Sequence, residues 1–215
     1  MTHLKLKPYD DARARWPDRG RVILAQYDAD SAVVYRAGPP DEAAYAAEHD
    51  RLGGPGFDFD RMVWTGASFL WLMHRSEWAS KPGQRAVLAL WLDRAAFDGL
   101  LAEAAPTHYI PGVYPDRARW EAALSASDIR IQWGPDYPAY GPKLKRQAIQ
   151  IGLRGDTLRR FANEWIVRVE DITGFVRQQA AFAAEPDLLL VPGARIYPVD
   201  ADTALRLQLD KWTPG

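Results

Sequence analysis

Two β-rich runs near the start of the chain, RVILAQY at 21–27 and SAVVYRA at 31–37, flank Asp28, Ala29 and Asp30, a spacing that predicts a hairpin. Pro40 followed by Asp41 and Glu42 places proline in a first helical turn and acids at the positive end of the helix dipole. Helix formers then continue until Gly53 and Gly54 stop them. The unbroken apolar run RAVLALWL at 85–92 predicts a buried strand. Asp93 behind it predicts an N-cap, with Phe97, Leu100, Leu101 and Ala104 at helical spacing as far as Pro106.

Further along, Trp120 and Leu124 mark a short helix, and DIRIQW at 128–133 and RQAIQIGL at 146–153 alternate like half-buried strands. The connection between those strands holds three prolines and is long enough to be a functional loop. From Asp156 to about residue 184, Leu158, Phe161, Trp165, Val169, Ile172 and Val176 step by three or four, which predicts the longest helix of the fold. LLLV, then Pro192-Gly193, then ARIYPV predicts a closing hairpin. Together these elements predict one α+β (mixed α/β) domain over 21–199, a largely antiparallel or split sheet packed by several helices. Residues 1–20 are an N-terminal extension and 200–215 a C-terminal tail.

Composition narrows what such a domain does. Lys and Arg number 27 against 28 Asp and Glu, so no bulk positive charge draws the chain to nucleic acid. Arginine outnumbers lysine 21 to 6, which favours planar recognition of phosphate or carboxylate, although Ala-, Arg-, Gly- and Pro-rich usage also follows from a GC-rich genome. There are no cysteines, hence no disulfide scaffold, thiol nucleophile or thiolate zinc site. The apolar run from Ala86 to Leu92 is far too short to span a bilayer. A soluble, cytoplasmic protein without membrane contact is expected; the sequence specifies no oligomeric state.

The chain lacks GxxxxGK[ST], GxGxxG after a strand, GxSxG and HExxH. His3, His49, His74 and His108 are isolated and read as surface or hydrogen-bonded side chains, so no metal is expected.

The informative stretch is 60–79. Arg61, Trp64, Ser68, Trp71, Arg75 and Trp78 fall at increments of three and four, so a helix over the whole segment lines all six along one side. Arg61 to Trp64 reads equally well as a strand that turns into a helix near Ser68. Indoles beside guanidinium groups suit a ligand that joins a flat ring to an anionic group, such as a nucleotide, with Ser68 as a hydroxyl donor. The competing reading has the tryptophans filling the core and the arginines paired at its margin. Lys81-Pro82-Gly83-Gln84 reads as a mobile turn able to close over a ligand. If the strands 128–133 and 146–153 are neighbours, Arg130, Gln132, Arg146 and Gln150 form one polar, cationic patch. Arg36, ending its strand, is a further candidate.

RMVWTGASFLWLMHRSEWASKPGQ, AVLALWLDR, IRIQWGPD, RQAIQIGL and EWIVRVEDIT resemble the signatures of the family of domain of unknown function 4291 (DUF4291), from about residue 21 to 180. The sequence departs from that pattern where Gly66-Ala67 replaces a lysine-proline before Ser68. Two further departures are Val34-Tyr35-Arg36-Ala37-Gly38 in place of VYQAY and Gly134 in place of an acid after Trp133. The order of elements is also similar to the ADP-ribosyltransferase superfamily, where a split sheet holds NAD and an Arg or His on the first strand contacts it. That likeness implies that Tyr35 and Arg36 grip NAD and Ser68 assists, with the catalytic acid unassigned. The competing functions are a non-catalytic module for a nucleotide or single-stranded nucleic acid, and a structural or interaction domain without a small-molecule site.

Overall fold

The apolar runs organise a mixed architecture, seen in a computed structural model that describes residues 2–211. In chain order the elements are β1 (Leu6–Pro8), α1 (Tyr9–Arg13), β2 (Arg19–Arg21), β3 (Leu24–Ala25), β4 (Ser31–Gly38), α2 (Pro40–His49), β5 (Val63–Gly66) and α3 (Phe69–Ser76). There follow β6 (Ala86–Asp93), α4 (Arg94–Glu103), β7 (Ala105–Pro106), α5 (Arg117–Ala126), β8 (Ile129–Pro135), β9 (Lys145–Leu153), α6 (Gly155–Arg160) and a π turn (Phe161–Trp165). The chain closes with β10 (Ile166–Asp171), α7 (Thr173–Ala180), β11 (Leu190–Pro192), β12 (Arg195–Ile196) and α8 (Ala201–Arg206). Among the described residues no helix is long and apolar enough to cross a membrane.

The main sheet runs β10-β6-β4-β5-β9-β8-β7, with β2 beside the first three residues of β9 in parallel. Most of its neighbours pair along their length, as β4 does with β6 from Ser31 to Gly38. Between β4 and β5 only Tyr35 and Gly66 pair. Beyond that rung Arg36, Ala37 and Gly38 separate from Thr65, Trp64 and Val63, and the sheet splits.

Alternation sends side chains to two faces. On one face Val34, Leu88, Leu90, Val63, Ile129, Ile131, Ile149 and Ile151 join Phe97 and Leu101 of α4 in an apolar layer that crosses both halves of the sheet. On the other face Val33, Tyr35, Val87, Ala89 and Trp91 pack under Phe69 and Met73 of α3, Val176 of α7 and Tyr9 of α1. This second layer covers only the β4–β6–β10 half. Over β5, β9 and β8 the same face carries Trp64, Gln150, Gln132 and glycines.

Local chemistry explains the well-matched elements. Pro39 and Pro40 preset the entry to α2, and Asp50 ends it in the left-handed region at φ 50°. Asp93 caps α4 by accepting from Ala96 N at 2.9 Å. Strands β8 and β9 are antiparallel neighbours, with Gln132 opposite Gln150. The segment after Gly66 divides as its strand-and-turn reading has it: β5 ends, and Ser68 caps α3.

Other expectations are corrected. The helix expected over 156–184 is instead α6, the π turn, strand β10 and α7. β-Branched Ile166 and Val169 gain more by pairing with β6 and entering the core than from continuing a helix. The first arm of the expected 21–27/31–37 hairpin keeps its turn, Asp28 N donating to Ser31 O. It then leaves β4, so that β2 pairs with β9 and β3 with β12. The closing hairpin does not form either: β11 pairs with β1 and β12 with β3, so each half satisfies a different edge. The segment 2–20 contributes buried Leu4, Tyr9 and Ala12, and Leu207 follows α8 into the first layer. Residues 212–215 of the expected tail lie outside the described residues.

Candidate functional site

The split opens into a cleft of about 930 Å³. One side is the departing end of β4, with Arg36, Ala37 and Gly38, and the other is β5, with Val63, Trp64 and Thr65. Gln132, Gly134 and Gln150 form the floor, and α3 with the turn after it supplies Trp71, His74, Arg75, Glu77, Lys81 and Gln84. Phe57, Asp58 and Arg61 come from the loop before β5.

Glycines seat the indoles. A β-carbon at Gly152 would meet the Trp64 ring at 3.0 Å, and one at Gly66 would meet Trp71 at 3.4 Å, so both rings lie against bare backbone. Trp64 is 37% exposed although large and apolar, an unusual exposure for a ring with a core within reach. On α3, His74 stacks on Tyr137 with ring centroids 3.4 Å apart and planes 12° from parallel, which fixes one wall.

The turn after α3 is backbone-strained. Glu77, Trp78 and Ala79 have φ of 51°, 53° and 63°, three successive left-handed residues without a glycine. Trp78 N donating to Met73 O at 2.8 Å and the Trp78 ring packed on Phe69 hold the turn in place. Its effect is to bring Lys81 and Gln84 to the cleft.

Arg36 lies at the mouth of the split, bound to Glu42 at 2.6 Å and placed over the Phe57 ring. Arg61, Arg75 and Lys81 line the cleft and form no ion pair among the described residues. The cleft carboxylates are Glu42, Asp58 and Glu77.

Arg36, Arg61, Trp64, Trp71, Arg75, Lys81, Gln132 and Gln150 of the sequence candidates therefore meet in one hollow. The remaining candidates lie elsewhere. Tyr35 alternates to the opposite face from Arg36 and is 1% exposed against Phe69; its hydroxyl has no partner among the described residues, and burial pushes its pKa well above the ordinary value. Trp78 packs in the second apolar layer. Ser68 is 7% exposed and donates to Asp136 Oδ1 at 3.0 Å. Arg146 does not join Arg130 in a surface patch: it is 4% exposed, donates to Asp136 Oδ2 at 2.8 Å and to Pro17 O at 2.6 Å, and lies over the Trp16 ring. Arg130 shares the floor's face but lies outside the lining, with a buried Nε that has no partner among the described residues. The residues missed from the sequence are His74, Tyr137, Glu42, Phe57 and Gln84. Of these, His74 carried a local signal, one helical turn beyond Trp71, and Gln84 closes the turn that the sequence places over a ligand.

Residues 22–197 match the family model described as Domain of unknown function (DUF4291). The chain belongs to the DUF4291 family. The match takes in every element that lines the cleft, so the hollow lies wholly within the DUF4291 portion. No curated protein matches the chain.

Proposed function

We propose that the cleft binds a nucleotide-like ligand, NAD foremost. The observation that carries this reading is the meeting, in one hollow, of two glycine-seated indoles with three cations that form no ion pair among the described residues. Indoles stack on flat rings, and arginines bind phosphate by paired N–H donors. A ligand with two rings and a pyrophosphate engages both sets at once, which favours NAD over a mononucleotide.

A second reading, an ADP-ribosyltransferase-like transferase, is favoured by the place of Arg36, on the strand where the sheet divides and at the mouth of the cleft. In that reading Arg36 holds the ligand's phosphates, and the carboxylates within reach are Glu42, Asp58 and Glu77. Tyr35 and Ser68, engaged elsewhere, take no direct part.

Titrating the protein with NAD, ATP and a short RNA oligomer while following tryptophan fluorescence separates these readings. Saturable quenching by NAD or ATP that Trp71→Phe weakens is the expected result. Slow release of nicotinamide from NAD selects the transferase. Preference for RNA selects the single-stranded nucleic-acid module, and silence with all three overturns the nucleotide reading.

A further inference from the structure

Gln132 and Gln150 stand directly opposite each other on β8 and β9 and both line the cleft. Beside them Gly134 leaves a gap. The point where its β-carbon would sit is 3.2 Å from Gln150 Nε2 and 3.9 Å from Trp71 Nε1, so two N–H donors converge over bare backbone. In the same cleft Gln84 Oε1 is buried without a hydrogen-bond partner among the described residues, an acceptor that stays unfavourable until a donor reaches it. The floor thus offers neutral donors and acceptors, while the cations Arg61 and Arg75 are exposed.

A carboxamide presents an acceptor and donors side by side. Its complement is the edge of adenine, where an amine donor stands next to a ring-nitrogen acceptor; guanine offers two acceptors there and suits a guanidinium instead. We propose that Gln132, Gln150 and Gln84 select an adenine ring, the assignment resting on the nucleotide reading above.

The test compares NAD with its hypoxanthine analogue and ATP with ITP by calorimetric titration. The members of each pair differ at position 6 of the purine, where an amine becomes a carbonyl. The adenine member is expected to bind at least about ten-fold more tightly. Gln150→Met and Gln132→Met each remove the carboxamide's donor and acceptor at similar side-chain length and are expected to bring that ratio towards one. Gln132 is exposed, so its variant folds even if the half-buried Gln150 variant does not. Equal affinity within both pairs overturns the adenine assignment and leaves nucleotide binding intact. A ratio unchanged by folded Gln→Met variants overturns the role of the amides. Failure of all four ligands to bind overturns both readings together.

Discussion

Ser68 serves two partners at once, its Oγ donating to Asp136 and accepting from Trp71 N at 3.4 Å. Ser68→Ala removes that cap and is expected to cost about 1 kcal/mol. In a chain of this size the loss lowers the melting temperature by about 2–4 °C, readable by calorimetry. Arg146→Ala is harsher, because it leaves Asp136, 1% exposed, buried without its counter-charge. A loss of about 3–5 kcal/mol is expected from urea unfolding. Arg75→Ala makes the opposite contrast. This exposed cation has no ion pair among the described residues, so stability stays within about 0.5 kcal/mol while nucleotide affinity drops. At this scale the sequence disclosed residue types better than residue partners. The indoles and arginines stood out by their spacing. Asp136, which holds Ser68 from 68 positions away and takes Arg146 out of the surface, gave no local sign.

Among the elements, the turn closing α3 is the most strained. Glu77 is exposed in a left-handed conformation that glycine adopts freely. Glu77→Gly is expected to raise stability by up to about 1 kcal/mol, and it also removes a carboxylate from the cleft, so binding of an anionic nucleotide should tighten. The turn before β4 carries a pH signature. The Asp28 carboxylate accepts from Ser31 N at 2.9 Å, a bond that chiefly holds its pKa below the ordinary 3.8. A lowered folded-state pKa means stability that is fully present above the unfolded value and lost as pH falls through the folded one. Asp28→Asn should therefore lower stability at neutral pH and flatten the acid limb of the stability–pH curve, the two proteins converging as pH falls below about 4. β6 and α4 were legible because a continuous apolar run and a capping Asp93 act locally. β10 was not. The pairing register shifts between Ile166 and Arg168, and that irregularity erases the period of two and leaves a spacing that mimics a helix.

For the molecule as a whole, the binding reading has a thermodynamic consequence. Ligand at about a hundred times its Kd adds about 2.7 kcal/mol to the folded state, a melting-temperature rise of roughly 5–10 °C. The rise should shrink in high salt, because Arg61 and Arg75 are exposed and screening acts on them. The layout of the sheet decides how that ligand enters. Behind the split, the apolar layer runs unbroken from Leu90 of β6 through Val34 and Ile151 to Ile131 of β8. The two halves cannot gape without prising that layer open, so the hollow keeps its shape whether filled or vacant. Encounter then limits capture, and stopped-flow traces should follow a single exponential whose rate climbs in proportion to ligand concentration without reaching a plateau.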